Sequence, residues 1–392
     1  MKTIAHLLPN YNPFPPRYPA GTELRVAEVS RRQHRYRPVV ICGGFPGQAE
    51  RECDGPMEIE RIHIGRVYRR LFQKLTRLDP WPYGKRMWQR LSAAGADLIH
   101  IHNEPKLLAM LGGELARHEL PVVLHIANDK PIRSELLPLV KRWVACSRYM
   151  ADWLAREVGV APANITVIHT GVDVASRPPL WQLAAAERTA LRAGWGVGVD
   201  DFAFVFAGRL VKEKGVSEML DAFALLRPRR PIKLLVAGNV RDSADPRNEK
   251  AAYGRAVTDR MAGMVDVTWV GSLHPDRMHD FLLAGDAFLL PSLWHDPFPT
   301  VMLEAACAGL PILAGCRGGI TEFLHGCPGV PMLNEPGDPA ALAGAMSALM
   351  DDPVAADAAG RWLRSSIERD FDWSRVAADF ETLYDRLLGG PA

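Results

Sequence analysis

The sequence lacks the cysteine spacings that mark disulfide frameworks and small metal centres. Its six cysteines form no C-x-x-C pair and no Cys/His pattern typical of a zinc site. It also lacks long apolar runs, since only a short one precedes Pro9 and none approaches the length that spans a membrane. We therefore expect a cytoplasmic protein that begins with a β-strand and keeps its thiols reduced.

Composition places the chain among globular proteins and excludes disordered and fibrous classes. Hydrophobic residues make up 48% and charged residues 23% of the 392 positions, without repeats or low-complexity tracts. Such a length exceeds one ordinary core, so we expect two domains. The net charge of +2 conceals an asymmetry. Residues 1–173 hold 25 basic and 17 acidic side chains (+8), whereas residues 174–392 hold 22 and 28 (−6). The halves should therefore present different surfaces, and we expect no nucleic-acid partner.

Strand and helix patterns alternate through both halves. Runs that are apolar throughout indicate parallel strands covered on both faces, and the segments between them have helical periodicity. The predicted fold is α/β, with two doubly wound parallel-sheet (Rossmann-like) domains. The predicted strands are Thr3–Leu7, Pro38–Ile41, Ile59–Ile64, Leu98–His102, Pro121–Ile126, Trp143–Ala145, Ile165–Ile168, Phe202–Phe206, Ile232–Val236, Val267–Val270, Ala287–Leu290, Pro311–Leu313 and Val330–Leu333.

The segment Pro291–Phe323 carries the strongest functional signal of the chain. It places Asp296 in a loop and Glu304 eight positions later in a short helix, which an Ala-Gly-Leu-Pro sequence ends. An apolar strand and a glycine pair follow. Loops of this kind form ligand sites at the strand ends of α/β sheets. Carboxylates there fit a hydroxyl-rich ligand, because they accept paired hydrogen bonds from vicinal diols.

This segment resembles the donor-sugar site of family-four retaining glycosyltransferases (glycosyltransferase group 1). Their pattern is E-x-F-G-x-x-x-x-E-A-x-A-x-G-x-P followed by G-G-x-x-E, and here Asp296 stands for the first Glu and Pro299 for the Gly. The resemblance covers nearly the full length and implies the GT-B fold, in which two Rossmann-like domains face a cleft. The domains it implies are an acceptor-binding domain over 1–173, a linker over 174–200, a donor-binding domain over 201–370 and a helix over 371–392 that crosses back to the first domain.

A second matching segment, GRLVKEKG at 208–215, follows a predicted strand and is similar to the family's G-R-x-x-x-x-K-G. The resemblance assigns Arg209 and Lys214 to the donor diphosphate and makes Gly208 a donor-binding candidate. Fixed cations stabilise the negative charge of a departing nucleoside diphosphate more in the transition state than in the ground state. The alternative interpretation is a solvated basic turn.

Within Pro291–Phe323 the resemblance implies that Glu304 binds the ribose hydroxyls and that Asp296 contacts the donor sugar. The alternative for Glu304 is an exposed helix glutamate, although its neighbours are apolar or small. Glycines would let the backbone approach a phosphate beside a helix N-terminus. The further donor-binding candidates are the Phe298 and Thr300 amides, Gly318 and Gly319.

In the first half, relatives have a glycine pair after the first strand that contacts donor and acceptor. Here Gly21 supplies one glycine and is a donor-binding candidate, while Ala20 replaces the other. Relatives also end a strand in a histidine that points at the reacting sugar. That position is Ala127 here, and His125 lies two residues earlier on the same face. His125 as a catalytic residue and as a core residue both stay open. The acceptor-side candidates are Asn128 and Asp129.

One D-x-D motif, Asp370–Asp372, matches the cation site of glycosyltransferases of the other main fold. Capping of the following helix by Asp372 accounts for it, and Arg209 and Lys214 would supply the cation's charge. We therefore predict no metal and no cofactor, with a nucleotide sugar (a UDP- or GDP-sugar) as co-substrate.

Together these features predict a metal-independent hexosyltransferase that moves a sugar from a nucleotide diphosphate to a saccharide or lipid-linked acceptor. Envelope polysaccharide or glycoconjugate synthesis is the expected setting. The resemblance implies retention of configuration, by a front-face mechanism in which the leaving phosphate takes the acceptor proton. Two alternatives stay open: a GT-B epimerase or sugar phosphorylase, and a non-catalytic subunit that binds nucleotide sugars.

A basic segment, Arg61–Arg90, holds nine Lys or Arg against one acid, with five Trp, Tyr or Phe residues among them. Such a segment suits an anionic membrane surface or a lipid-linked acceptor. It equally suits an amphipathic helix whose basic face lies in water. Peripheral attachment to the inner face of the cell membrane and an ordinary solvated helix are the two hypotheses.

Overall fold

The computed structural model of the chain describes residues 1–16, 20–65, 83–228, 230–240, 248–329 and 335–389. The chain divides into two compact units, one of Met1–Thr170 with Trp373–Ala392 and one of Gly171–Asp372. In the described ranges the strands form an eight-stranded sheet in the first unit and a five-stranded sheet in the second. The α/β prediction is therefore confirmed.

The first unit is built on a sheet in the order β3-β4-β2-β1-β5-β6-β7-β8. Neighbouring strands are parallel except β3 and β4, which form an antiparallel pair at one edge. The strands are β1 (Thr3–Leu7), β2 (Arg37–Gly44), β3 (Arg51–Asp54), β4 (Met57–His63), β5 (Leu98–His102), β6 (Val122–Ile126), β7 (Arg142–Ala145) and β8 (Ile165–Val167). The central strands are wholly buried, which explains their unbroken apolar runs.

Helices of the first unit begin at recognisable signals. Ser147 caps one of them by accepting a hydrogen bond from the Met150 N–H (3.2 Å), and Pro105 opens another. These helices are α1 (Gly21–Arg31), α2 (Tyr83–Ala94), α3 (Pro105–Leu115) and α4 (Arg148–Trp153), which a π-helical turn continues over Leu154–Val158. Most of the basic segment, residues 66–82, lies outside the described residues.

The second unit carries an all-parallel sheet in the order β11-β10-β9-β12-β13. Its strands are β9 (Phe202–Ala207), β10 (Ile232–Ala237), β11 (Val267–Gly271), β12 (Ala287–Leu290) and β13 (Ile312–Ala314). Apolar side chains of β9, β10 and β12 form the core together with those of the covering helices. The predicted strand Val330–Leu333 lies outside the described residues.

Helices cover this second sheet, and Asn248, Asp338 and Asp352 cap three of them through their side chains. The helices are α5 (Ala185–Gly194), α6 (Val216–Leu225), α7 (Glu249–Ala262), α8 (Pro275–Leu283), α9 (Thr300–Ala308), α10 (Ile320–Leu324), α11 (Pro339–Asp351) and α12 (Pro353–Asp370). No described helix combines the length and the apolar character needed to span a membrane.

Residues 174–200, predicted as a linker, are part of the second unit instead. They contain α5, whose Arg192 is buried and donates a hydrogen bond to Asp286 (2.9 Å). Trp195 packs edge-to-face on Phe281, with ring centroids 5.4 Å apart. The prediction was wrong because the alanine-rich composition of this stretch gave no sign of these distant contacts.

The last helix, α13 (Trp373–Leu388), belongs to the first unit although α12 belongs to the second. Its apolar face buries Trp373, Phe380 and Tyr384 in a cluster with Ile4 of β1 and Leu98 of β5. The helix therefore covers one face of the first sheet.

Candidate functional site

Three strand-end loops of the second unit hold most of the predicted donor-site residues. β9 leads into the GRLVKEKG turn, β12 into the loop 291–299, and β13 into the glycine pair at 318–319. Since β9, β12 and β13 are parallel neighbours, all three loops follow the carboxyl ends of these strands. We call this side of the sheet, where the strands end, the sheet edge of the second unit. The fold therefore gathers segments that are about a hundred residues apart in the sequence.

Lys214 and Asp296 form an ion pair across the first two of these loops. Both side chains are largely buried, with exposed fractions of 13% and 8%. Gly215 ends the turn with φ +68°, and a Cβ atom there would lie 2.1 Å from the Pro291 carbonyl oxygen. Only glycine lets the turn pack this closely. Sequence reasoning selected both charged residues but did not predict that they pair.

Arg209 lies in the same turn but is exposed, and in the described part of the chain its guanidinium has no hydrogen-bond partner. The pKa of Glu213 is lowered, mainly by a hydrogen bond from Lys250 and to a smaller extent by the positive charge of Arg209. Gly208 donates its N–H to the Ala237 carbonyl (3.0 Å) and so ties the turn to β10. Arg209 is thus a cation held at the sheet edge and open to a ligand.

A pocket of about 580 Å³ adjoins these loops. Both aromatic and charged side chains line it, and the charges of its two lysines and two glutamates cancel. Its lining residues are Lys212, Glu213, Glu249, Lys250, Tyr253, Leu293 and Trp294.

Glu304 lies in α9, and its carboxylate contacts a residue that sequence reasoning missed. The Arg177 Nη1 atom donates a hydrogen bond to Glu304 Oε1 at 2.9 Å, and the two side chains are 19% and 21% exposed. These residues are 127 positions apart, so no local pattern links them. Thr300, the first residue of α9, is half-buried.

Gly318 and Gly319 pack against the loop that carries Asp296. A Cβ atom on Gly319 would lie 1.8 Å from the Pro297 carbonyl oxygen, and one on Gly318 would lie 2.3 Å from that of Asp296. Gly319 also donates its N–H to the Asp296 carbonyl (2.8 Å). This N–H is therefore used inside the protein, and the approach of the glycine pair to a phosphate stays a prediction. The Phe298 ring is buried against Phe371 (5.9 Å between centroids), so only its backbone is left to contact a ligand.

Of the candidates in the first unit, Asn128 and Asp129 lie at the end of a strand and Gly21 at the start of a helix, whereas His125 is buried. Asn128 and Asp129 follow β6, where Asn128 is half-buried and Asp129 exposed. Gly21 is exposed as the first residue of α1, and a Cβ atom there would have open space around it. The space around Gly21 would therefore admit a larger side chain, so packing inside the protein does not require a glycine here.

His125 is a core residue, which corrects its prediction as a catalytic group. Its ring has no exposed surface and lies 5.8 Å from the Phe380 ring of α13. Burial lowers its pKa well below the usual value, and the charge of Arg25 adds to this effect. The face of β6 was predicted correctly, but α13 covers that face.

His125 belongs to a histidine cluster with His6, His100 and His102, formed because the sheet register pairs His6 with His100 and His102 with His125. Ligand atoms of His6, His100 and His102 lie within 4.8 Å of one another. His6 Nδ1 is 3.0 Å from His102 Nε2, and His100 Nδ1 is 2.7 Å from the Tyr384 hydroxyl. Burial, the neighbouring histidines and the charge of Arg25 lower the pKa values of His100 and His102, so positive charge is disfavoured in this cluster.

Asp372 of the D-x-D motif has a structural contact. Its Oδ2 atom accepts a hydrogen bond from the Val174 N–H (3.3 Å), and Val172 and Asp372 form a β-bridge. Asp370 pairs with Arg369 at the surface. The motif therefore ties the two ends of the second unit together.

Family models match both halves of the chain. The model of glycosyltransferase family 4 matches residues 19–176, and that of glycosyl transferases group 1 matches residues 201–352. The chain belongs to glycosyltransferase family 4 (group 1). This glycosyltransferase is similar to D-inositol 3-phosphate glycosyltransferase of Xylanimonas cellulosilytica, with 30% identity over 310 residues, 78% of this chain and 70% of the relative.

Two further matches span almost the whole glycosyltransferase. Lipopolysaccharide 1,2-N-acetylglucosaminetransferase of Salmonella typhimurium is 28% identical over 378 residues, 94% of each chain. HepE of Anabaena, solved in complex with UDP-glucose, shares the fold with a TM-score of 0.74 and 19% identity, over 98% of this chain and 100% of HepE. The chain is therefore a hexosyltransferase of GT-B type that transfers a sugar from a nucleotide sugar to a saccharide acceptor, as the sequence predicted.

Proposed function

We propose that the second unit binds a UDP- or GDP-sugar at the loops that follow β9, β12 and β13. The observation that carries this proposal is the gathering of Arg209, Lys214 and Asp296 at one sheet edge, with Glu304 in the helix that follows the Asp296 loop. Cations there suit a diphosphate, and carboxylates suit sugar and ribose hydroxyls. The UDP-glucose complex of HepE supports uracil as the base.

In the proposed reaction, the acceptor hydroxyl oxygen bonds to the anomeric carbon on the face from which the diphosphate leaves. The bond between that carbon and the phosphate oxygen breaks, and the departing phosphate takes the hydroxyl proton, so configuration is retained. Arg209 and Lys214 stabilise the charge left on the diphosphate. An ammonium has three N–H donors, so Lys214 can bind a phosphate oxygen while Asp296 keeps one donor.

The acceptor we propose is a saccharide or a lipid-linked saccharide, with Asn128 and Asp129 of the first unit as acceptor-side residues. The +8 charge of residues 1–173 and the Arg61–Arg90 segment support a negatively charged acceptor or membrane surface. The name of the Salmonella relative, lipopolysaccharide 1,2-N-acetylglucosaminetransferase, refers to a lipid-linked saccharide. We infer a cytoplasmic enzyme at the inner face of the cell membrane.

Thermal unfolding against a panel of UDP-, GDP- and ADP-sugars tests this proposal. A donor at about one hundred times its dissociation constant adds roughly 2.7 kcal/mol of stability, which is easily measured. The donor that binds is then incubated with saccharide acceptors, and NMR of the product reports its anomeric configuration. Retention with release of the nucleoside diphosphate supports the proposal, whereas inversion contradicts the mechanism. Donor binding without turnover on any acceptor would favour the non-catalytic subunit, and sugar release dependent on inorganic phosphate would favour a phosphorylase.

A further inference from the structure

Arg177 and Glu304 together offer a hydrogen-bond donor and a hydrogen-bond acceptor. The guanidinium of Arg177 supplies the donors and the carboxylate of Glu304 the acceptors that the two hydroxyls of a ribose can use. Arg177 Nη1 holds Glu304 Oε1 at 2.9 Å, whereas Oε2 has no hydrogen-bond partner among the described residues. About a fifth of each side chain is exposed, so the pair is accessible from one side. One carboxylate oxygen and the remaining N–H groups of Arg177 are therefore open to a ligand.

The backbone at Arg177 is fixed independently of this ion pair. Its carbonyl accepts a hydrogen bond from Arg364 Nη1 at 2.6 Å, and Arg364 is itself buried and also bound to the Cys307 carbonyl of α9. The next carbonyl, of Pro178, is 2.9 Å from His279 Nε2. The segment is thus fastened to α8, α9 and α12, and the Arg177 side chain reaches Glu304 from a rigid support.

We propose that Arg177 is a positioning and specificity residue for the ribose of the donor. Glu304 Oε2 accepts a hydrogen bond from one ribose hydroxyl, and a free N–H of Arg177 donates to the oxygen of the other. The pair then recognises the cis-diol as a donor–acceptor unit, instead of the carboxylate alone binding both hydroxyls. This inference depends on the donor site proposed above.

A purely structural role is the competing explanation, because the same ion pair also tethers residue 177 to α9. The two explanations differ in one measurable quantity. A tether affects the stability of the protein and the affinity for all nucleotides alike, whereas a ribose contact affects only nucleotides that carry the hydroxyls. The ratio of the dissociation constants of 2′,3′-dideoxy-UDP and UDP isolates the second effect.

Isothermal titration calorimetry with UDP and 2′,3′-dideoxy-UDP on the full chain gives this ratio, with GDP and its dideoxy analogue used if UDP does not bind. The wild type should prefer the ribonucleotide by about tenfold or more, since charge-assisted hydrogen bonds are lost with the hydroxyls. Arg177→Ala should reduce the preference to about threefold or less. Arg177→Lys should keep an intermediate preference, because lysine keeps the positive charge but lacks the planar fork that aligns two N–H donors with Glu304 and a ribose oxygen.

Arg361→Ala is the matched control. The Arg361 guanidinium packs on the ring of Trp181, which lies in the same segment as Arg177, at 4.5 Å from the ring centroid. Arg361 forms its ion pair with Asp357 of α12, not with Glu304. It should leave the wild-type ratio unchanged. Equal weakening of both nucleotides by Arg177→Ala, with the ratio preserved, would overturn the inference and leave the donor site intact. Failure of UDP and GDP to bind the wild type would instead overturn the proposed donor site.

Discussion

The side chains of Lys214 and Asp296 pair between two loops of the second unit, and both come from the segments with the clearest sequence signals. The pairing compensates the cost of burying an ammonium and a carboxylate. A donor that binds as proposed must therefore share Lys214 with Asp296. Substitution of each partner should therefore give a different kinetic result.

The first prediction concerns the phosphate-binding cations. Lys214→Ala and Arg209→Ala should each lower turnover by about two orders of magnitude or more, because the departing diphosphate loses a fixed positive charge. Arg255→Ala is the control, since Arg255 is an exposed cation of α7 that lies outside the donor-site loops, and it should retain activity. Turnover of all three is measured with and without EDTA. Full activity of either test variant, or a requirement for Mn²⁺ or Mg²⁺, would contradict the assignment.

The second prediction concerns Asp296. Asp296→Asn keeps the side-chain size but removes the charge that holds Lys214. Turnover should fall by about two orders of magnitude because the contact with the reacting sugar is weakened. Affinity for the free nucleoside diphosphate should stay equal or rise, because Lys214 is released to the phosphate. Asp276→Asn, at an exposed site, serves as control. Weaker nucleotide binding with normal turnover would show that Asp296 does not act on the sugar.

The third prediction concerns the glycine pair. Gly319→Ala should destabilise the second unit by about 1–3 kcal/mol or more, since the added Cβ would lie 1.8 Å from the Pro297 carbonyl oxygen. Gly344→Ala, in α11 with open space around it, should instead stabilise by about 0.5–1 kcal/mol. Chemical denaturation measures both. Equal stability of the two variants would mean that the glycine does not pack as described.

The fourth prediction concerns pH. Burial lowers the pKa of His6 to about 4, and those of His100, His102 and His125 well below the usual value. These rings take up protons in the unfolded chain below about pH 6.5 but resist protonation in the folded protein. Stability should therefore be unaffected above pH 6.5 and fall as the pH drops from there towards 4.

His125→Leu tests this linkage. Each such histidine accounts for up to about 1.4 kcal/mol of lost stability per pH unit in that window. The variant should therefore lose less stability than the wild type between pH 7 and pH 5 in thermal or urea unfolding. His118→Leu, at an exposed position, should follow the wild type. An unchanged pH dependence in His125→Leu would remove the buried histidines as its cause.

The fifth prediction concerns the basic segment, most of which lies outside the described residues. If it binds membranes, the protein should co-sediment with phosphatidylglycerol vesicles at low salt and dissociate at high salt. Changing Arg69, Arg70 and Lys74 to Glu should weaken this binding. The control exchanges three exposed basic residues elsewhere in the first unit, Arg117, Lys141 and Arg156, for Glu. Equal losses in both triple variants would indicate a general effect of net charge, and no binding would indicate a soluble acceptor.

Strand positions could be predicted closely because these strands are buried on both faces, which leaves an unbroken apolar run in the sequence. Leu98–His102 and Ala287–Leu290 were predicted with the bounds that the structure shows. The edge strand Arg51–Asp54 was missed, because its sequence RECD is mostly exposed and resembles a loop. Antiparallel pairing at an edge depends on its neighbour rather than on its own composition.

Site residues could be predicted where their spacing along the chain matches a motif. They could not be predicted where residues from distant segments meet only in the folded protein. Asp296 and Glu304 stood out by pattern, but the partners of both, Lys214 and Arg177, come from other loops. For His125, alternation gave the correct face of the strand. It could not show that a helix more than 240 residues later covers that face.

The return of α13 to the first unit has a consequence for biosynthesis. The second unit, Gly171–Asp372, is complete before the residues of α13 are made, whereas the first unit must wait for them. Until then, the face of the first sheet with Ile4, Leu98 and the histidines has no covering helix. A polypeptide interrupted at Asp372 would keep the entire second unit yet expose this face. Quality control in the cell would therefore act on the half of the molecule that is translated first but finished last.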